Sequence, residues 1–295
     1  MPVIPIDSYA EKLMNQKTDF IIIAVKEKTA QREIIDMLQK HNIDYYANIF
    51  YDASTVEEFW EEFVKLSPSI GEKQCPICNR TVKMFGPSGT PLRYNALCPH
   101  CNSLERHRAL WLHVNKKKIL PESNNIKLLH FAPENCFYNI LQNRVADYYP
   151  VDYNPDFPGI RCRVDITNIP YKDDFFDVII CNHVLEHIAD EERALTEISR
   201  VLKAEGTAII TVPLNSLDKT FEEPEYNTPE LRLIHYGQED HVRIYGRDIK
   251  NRLKMFFSVE MVDNSSFSDE ELAKYGLIKN EVIFFCSKQK EQGGR

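Results

Sequence analysis

Short, wholly apolar runs alternate along this chain with stretches of helical spacing. Phe20-Ile-Ile-Ile-Ala-Val25, Lys127-Leu-Leu-His-Phe-Ala132, Val178-Ile-Ile-Cys181 and Thr207-Ala-Ile-Ile-Thr-Val212 are apolar on both faces, as strands covered by helices on each side must be. Residues 45–51 and 148–151 are further strand candidates. Residues 29–40 place Ile34, Ile35 and Leu38 on one helical face, Ser54 opens a helix with Glu57 and Glu58 in its first turn, and residues 136–144 form another helix. Strands alternating with helices predict an α/β fold built on a mostly parallel sheet.

Polar turn formers at Ser67-Pro-Ser-Ile-Gly71 and at Pro121-Glu-Ser-Asn-Asn125 divide the chain into residues 1–70, 71–118 and 119–290, with a frayed tail after Gln289. The first region reads as a small α/β unit. Lys26-Glu-Lys-Thr29 follows its first strand, where a phosphate loop would need bare backbone, so the expected role is packing or homodimerisation rather than ligand binding.

Between the two breaks lie Cys75-Pro-Ile-Cys78 and Cys98-Pro-His-Cys101. Two such pairs bring four thiolates to one tetrahedral ion, which predicts a zinc ribbon whose hairpin includes Gly86-Pro-Ser-Gly89. Four thiolates close the coordination sphere, so the zinc is expected to be structural. In the helix that follows, Leu104, Leu110 and Trp111 are expected inward and Arg106 and Arg108 outward.

Charge sharpens this division. The chain carries a net −8, yet residues 71–118 hold 9 basic and 2 acidic side chains. A basic island in an acidic protein attracts a phosphate-bearing partner without making a broad nucleic-acid surface. No apolar run reaches the roughly 18 residues of a membrane span, and no signal peptide is legible, so the expectation is a cytoplasmic protein with no membrane partner.

Several segments after residue 120 belong together. Asp165-Ile-Thr-Asn-Ile-Pro170, Phe176-Asp-Val-Ile-Ile180, Val184-Leu-Glu-His187 and Glu197-Ile-Ser-Arg-Val-Leu-Lys-Ala-Glu-Gly206 resemble class I S-adenosylmethionine-dependent methyltransferases of the type 11 kind. The resemblance implies a Rossmann-like seven-stranded sheet, here preceded by the small α/β unit and the ribbon. It also implies a cofactor site at the strand ends. Phe131, Ala132, Pro133 and Glu134 stand at the first loop, where the family places glycines. Asp152 would accept the ribose hydroxyls, Asp165 and Ile166 would meet the adenine, and Asn182 would face the methionine end.

Methyl transfer to a hydroxyl needs a group that removes a proton. His241, in Tyr236-Gly-Gln-Glu-Asp-His-Val-Arg-Ile-Tyr-Gly246, and His183 are the candidates. Asp240 is expected to orient His241, Arg243 to bind an anionic substrate, and Gly237 and Gly246 to let the loop close. The string His183-Val-Leu-Glu-His187 also fits a zinc-peptidase pattern, but His183 follows directly on a strand instead of sharing a helix face with His187. Glu186 and His187 resemble positions at which some small-molecule methyltransferases hold a divalent ion, Mg2+ being the one expected. The reading is a methyltransferase acting on a small-molecule or sugar-like acceptor. Ribosomal RNA methylation and a non-catalytic zinc-dependent scaffold are the alternatives.

Overall fold

The computed structural model describes residues 21–23, 46–48, 72–82, 84–89, 93–120, 125–154 and 159–289. The helices expected at 29–40 and from Ser54, the boundary at 121–124 and most of the tail lie outside the described residues. Backbone packing divides the chain into two compact units, residues 1–75 with 80–100 and residues 76–79 with 101–295.

In the first unit β1 (Ile21–Ile23) and β2 (Tyr46–Asn48) pair in parallel. Two antiparallel pairs follow, β3 (Lys73–Gln74) with β4 (Thr81–Val82) and β5 (Gly86–Ser88) with β6 (Arg93–Leu97). Gly86-Pro-Ser is thus strand, and the chain reverses after it, beginning at Gly89, whose φ of 89° favours glycine. Phe85, Met84 and Ala96 are buried there.

The second unit holds helices α1 (Glu105–Lys116), α2 (Asn135–Arg144), α3 (Glu191–Val201), α4 (Pro229–Tyr236), α5 (Ile249–Lys254) and α6 (Asp269–Tyr275). Its strands are β7 (Lys127–Phe131), β8 (Asp147–Asp152), β9 (Cys162–Arg163), β10 (Phe176–Asn182), β11 (Leu202–Thr211), β12 (Phe257–Asp263) and β13 (Val282–Lys288). They form the expected seven-stranded sheet in the order β12-β13-β11-β10-β7-β8-β9. All neighbours are parallel except β13, which runs antiparallel to both β11 and β12. Leu129, Phe131, Ile179, Cys181 and Ile210 meet Ala194, Leu195 and Ile198 of α3 in one core. The chain leaves β7 toward β8 and later returns to β10 on its other side. That reversal opens a crevice at the carboxyl ends of these strands, where ligands bind in such sheets.

Two local features differ from the pattern read in the sequence. Strand β11 starts at Leu202, which pairs with Phe176 ahead of a bulge. Gly206 lies in that bulge, where a Cβ would stand 3.0 Å from the Asp177 carbonyl. Arg108, expected outward, is fully buried. Its guanidinium donates to Ser103 O at 2.8 Å, Tyr275 O at 2.6 Å and Gly276 O at 2.8 Å. The last two are carbonyls at the C-terminal end of α6, which carries partial negative charge and lacks intrahelical donors. Trp111 packs tilted against Phe137 of α2 at 6.0 Å between ring centres. Among the described residues no helix is long and apolar enough to cross a membrane.

Candidate functional site

At the end of β7 the backbone turns sharply. Ala132 adopts a left-handed φ of 46°, and its N–H donates to Val151 O at 2.9 Å, extending the pairing of β7 with β8 by one bond. This is the conformation for which glycine is the usual choice, and Ala bears it at a cost of about 1–2 kcal/mol. Ala132 is exposed, while Phe131 and Pro133 on either side are buried, so those two offer the crevice backbone rather than side chain.

Glu134, at the start of α2, is the electrostatic centre of the loop. Its carboxylate accepts from His130 Nε2 at 3.0 Å and Asn182 Nδ2 at 3.2 Å, and His107 Nε2 of α1 stands 3.5 Å away. Burial alone would raise its pKa, but the His130 hydrogen bond and the charges of His130 and His107 outweigh it and hold the group at about 2. Glu134 is therefore a fixed anion at the mouth of the crevice. Asn182, 4% exposed, also accepts from Thr211 Oγ1 at 3.1 Å, so it links the end of β11 to the Glu134 loop.

His107 and His130 were not among the residues singled out from the sequence. His130 is the one polar side chain in the apolar strand Leu128–Phe131, and a fully buried imidazole there requires partners. It has them in Glu134 and in Tyr148 Oη, 2.9 Å from Nδ1. His107 carried no such signal, because only tertiary packing brings α1 to the loop. Its Nδ1 accepts from Leu104 N at 3.1 Å, which leaves the proton on Nε2, toward Glu134.

Burial depresses His107 to about 4, with the positive charges of Arg106, His183 and Arg108 acting the same way and Glu134 opposing. The unfolded chain takes up this proton near pH 6.5 and the folded chain only near pH 4. The contribution to stability is thus complete above pH 6.5 and lost as pH falls toward 4, roughly 2–4 kcal/mol in all. Urea unfolding across that range should show the loss, and His107→Gln should flatten it. A wild-type profile flat down to pH 4 would contradict the burial of a neutral imidazole. Glu134, depressed from 4.5 to about 2, extends the loss below pH 4.5.

The other expected ligand residues stand at or just after the ends of β8 and β9. Asp152 ends β8 and accepts from Asn154 N at 2.7 Å through one oxygen. Asp165 is exposed, with one oxygen accepting from Thr167 N at 2.8 Å and Thr167 Oγ1 at 2.7 Å. The Ile166 side chain belongs to the core, so only its backbone is available to a ring in the crevice.

Past Asn182 the chain bends again at His183, whose φ is 51° and whose N–H donates to Thr211 O at 2.9 Å. A 3-10 turn, Leu185–His187, follows. His183 Nδ1 stands 3.3 Å from Glu186 Oε1, while His183 Nε2 and Glu186 Oε2 are buried without a hydrogen-bond partner. His187 Nδ1 lies 3.1 Å from Asp240 Oδ2, and its ring meets that of His241 edge-on at 4.7 Å. Val242 N–H donates to Glu186 O at 2.8 Å, which fastens the segment after β11 against the turn. His241 is 7% exposed, and burial, reinforced by His187, lowers its pKa.

Two sequence expectations for this segment are corrected. Asp240 pairs with His187, not His241. Arg243 is buried and takes no part in anion capture: it forks onto Glu222 at 2.7 and 3.0 Å and donates to the carbonyls of Leu185, Ile188 and Ala189. It is the clamp that shapes the turn carrying Glu186 and His187. Gly237 and Gly246 have local roles in the fold. Gly237, at φ 84°, caps α4, and Gly246 packs so closely that a Cβ would lie 2.5 Å from Lys219 C.

The sulphurs of Cys75, Cys78, Cys98 and Cys101 all lie within 4.8 Å of one another. Each Cys-Pro-x-Cys turn ends in an asparagine with positive φ, Asn79 at 56° and Asn102 at 57°. The two turns thus share a backbone path as well as a sequence, and the set fits a zinc ribbon.

A family profile described as a methyltransferase domain matches residues 136–210. An uncharacterized protein of Methanocaldococcus jannaschii is 35% identical over 104 residues, 34% of this chain and 44% of that protein. The uncharacterized methyltransferase YcgJ of Bacillus subtilis is 37% identical over 43 residues, 15% of this chain and 17% of that protein. The crystal structure of YcgJ aligns with 61% of this chain and 100% of its own, at 16% identity and a TM-score of 0.41. The chain spans less than half the length of these curated relatives.

Proposed function

We propose that the methyltransferase domain to which residues 136–210 belong transfers a methyl group from S-adenosylmethionine to a hydroxyl of a small-molecule or sugar-like acceptor. The observation that carries this reading is the Asn182–Glu134 hydrogen bond beside the sheet's reversal, with Asp152 ending the neighbouring strand β8. The cofactor supplies a methyl carbon activated by a positively charged sulphur. Glu134, ionised at any physiological pH, complements the positive charge of its methionine end, with Asn182 holding the carboxylate in place. Asp152 accepts the ribose hydroxyls, Asp165 and the Ile166 backbone receive the adenine, and the backbone of Phe131, Ala132 and Pro133 lines the methionine part.

On the acceptor side stand His183 and His241. His183 is the general base in this reading: Nδ1 faces Glu186, and the buried Nε2 makes no hydrogen bond within the protein. Zinc held by Cys75, Cys78, Cys98 and Cys101 is structural, since four thiolates leave no open position. A net charge of −8 favours a small acceptor over RNA, and the burial of Arg108 removes a charge from the basic island that supported the RNA reading. Thiols suited to a reducing environment support a cytoplasmic setting.

Calorimetric titration with S-adenosylmethionine tests the assignment. Asp152→Ala should weaken binding by about 1.5–3 kcal/mol, the scale for hydrogen bonds to a charged acceptor, with little change in the melting temperature of the free protein. Undiminished affinity would remove the ribose from the end of β8.

A further inference from the structure

We propose that Glu186, His187 and His241 form a second metal site, for a divalent first-row transition ion that binds and activates the methyl acceptor. One ligand atom from each of the three lies within 4.8 Å of the others. The proposal rests on the methyltransferase reading only for what the ion does.

Each of the three groups has a lone pair to offer. Glu186 is 2% exposed, and its Oε2 is buried with no partner, a costly state for a carboxylate unless a cation faces it. His187 is turned by Asp240 at Nδ1, leaving Nε2 as the donor atom. A carboxylate behind a ligating imidazole is the usual support of such a ligand. The His241 ring lies edge-on against His187 at 4.7 Å, and one of its nitrogens is the third ligand atom. Arg243 and the Val242 to Glu186 backbone bond hold the turn and the segment after β11 together, so the donors converge on a braced frame.

Three protein donors leave coordination positions open, as in catalytic rather than structural sites. Two imidazoles and a carboxylate select Mn2+, Fe2+, Co2+ or Zn2+ over Mg2+, which prefers oxygen ligands. His241 thereby changes the ion class expected from Glu186 and His187 alone. The open positions suit an acceptor with two adjacent oxygens, a vicinal diol or a catechol. Bound to the ion, the acceptor hydroxyl becomes more acidic and gives its proton to His183 Nε2. An oxygen lone pair then forms the O–C bond to the methyl carbon while the C–S bond breaks, its electron pair returning to sulphur to leave a neutral thioether.

The test is titration of the protein, with its one ribbon zinc per chain retained, with Mn2+, followed by the electron paramagnetic resonance of the free ion. Mn2+ discriminates between the two sites because soft thiolates disfavour it. One Mn2+ per chain is expected. Asp240→Asn, which leaves every ligand in place, should weaken binding about 10–100-fold, and His187→Ala, at a partly exposed position, at least as much. Glu186→Gln should behave like His187→Ala. Equal Mn2+ affinity in wild type and His187→Ala, or no binding at millimolar Mn2+, overturns the site. S-adenosylmethionine titrated into the same samples separates the two readings. Cofactor binding without Mn2+ binding removes the ion alone, whereas Mn2+ binding without cofactor binding keeps the ion site and removes the methyltransferase reading.

Discussion

Replacing His183 with Asn is expected to lower turnover by about 10²–10⁴-fold, the contribution typical of a positioned general base, with S-adenosylmethionine affinity unchanged. Asparagine is the informative substitution because His183 has a φ of 51°, which Asn tolerates and which would add strain to Ala. The fold at the end of β10 is then preserved while the proton-accepting nitrogen is removed. Labelled cofactor and a panel of diols, catechols and sugars would measure the effect. His241→Ala should reduce turnover comparably, but together with Mn2+ binding, because its ring lies against His187 and near Glu186. Full activity in both variants would mean that the acceptor's nucleophile needs no help from this side of the crevice, as for a neutral amine or a pre-ionised acid.

Loss of a ribbon ligand should be the most damaging single change to stability. One tightly bound zinc per chain is expected by elemental analysis, and Cys98→Ser should abolish it. Zinc contributes on the order of 10–16 kcal/mol in small thiolate and imidazole domains, far more than a few buried side chains such as Phe85 and Met84 can replace. Residues 71–100 should become open to protease in the variant, while the seven-stranded sheet, with α1 packed on its unit, keeps its own melting transition. Zinc-free wild-type protein that resists protease in that region would refute the structural role of the ion.

Much of this molecule was legible in its order of residues. Apolar runs at 127–132, 178–181 and 207–212 identify three central strands because a strand buried on both faces has no polar alternative. The two Cys-Pro-x-Cys turns announce their own convergence, and both Asp152 and Asn182 stand at strand ends where a ligand crevice opens. Such features depend on neighbours close in sequence or on the period of a single element.

What the sequence determined, then, is the central strands, the two Cys-Pro-x-Cys turns and the strand ends at which a cofactor site can form. Tertiary structure alone decided which polar groups face one another. Arg108 lies 167 residues from Tyr275, whose carbonyl it meets, and His107 lies 27 residues before the carboxylate it faces, so no local pattern marks either pairing. Arg243 looked like a substrate anchor until Glu222 and three carbonyls were found to use its donors, and Asp240 looked like the partner of its neighbour His241 until packing turned it toward His187. The physical reason is common to the three buried groups, Arg108, His107 and Arg243. A charged side chain buried by folding must find compensation wherever the packed chain supplies it, and the supplier is chosen by three-dimensional proximity rather than by separation along the sequence.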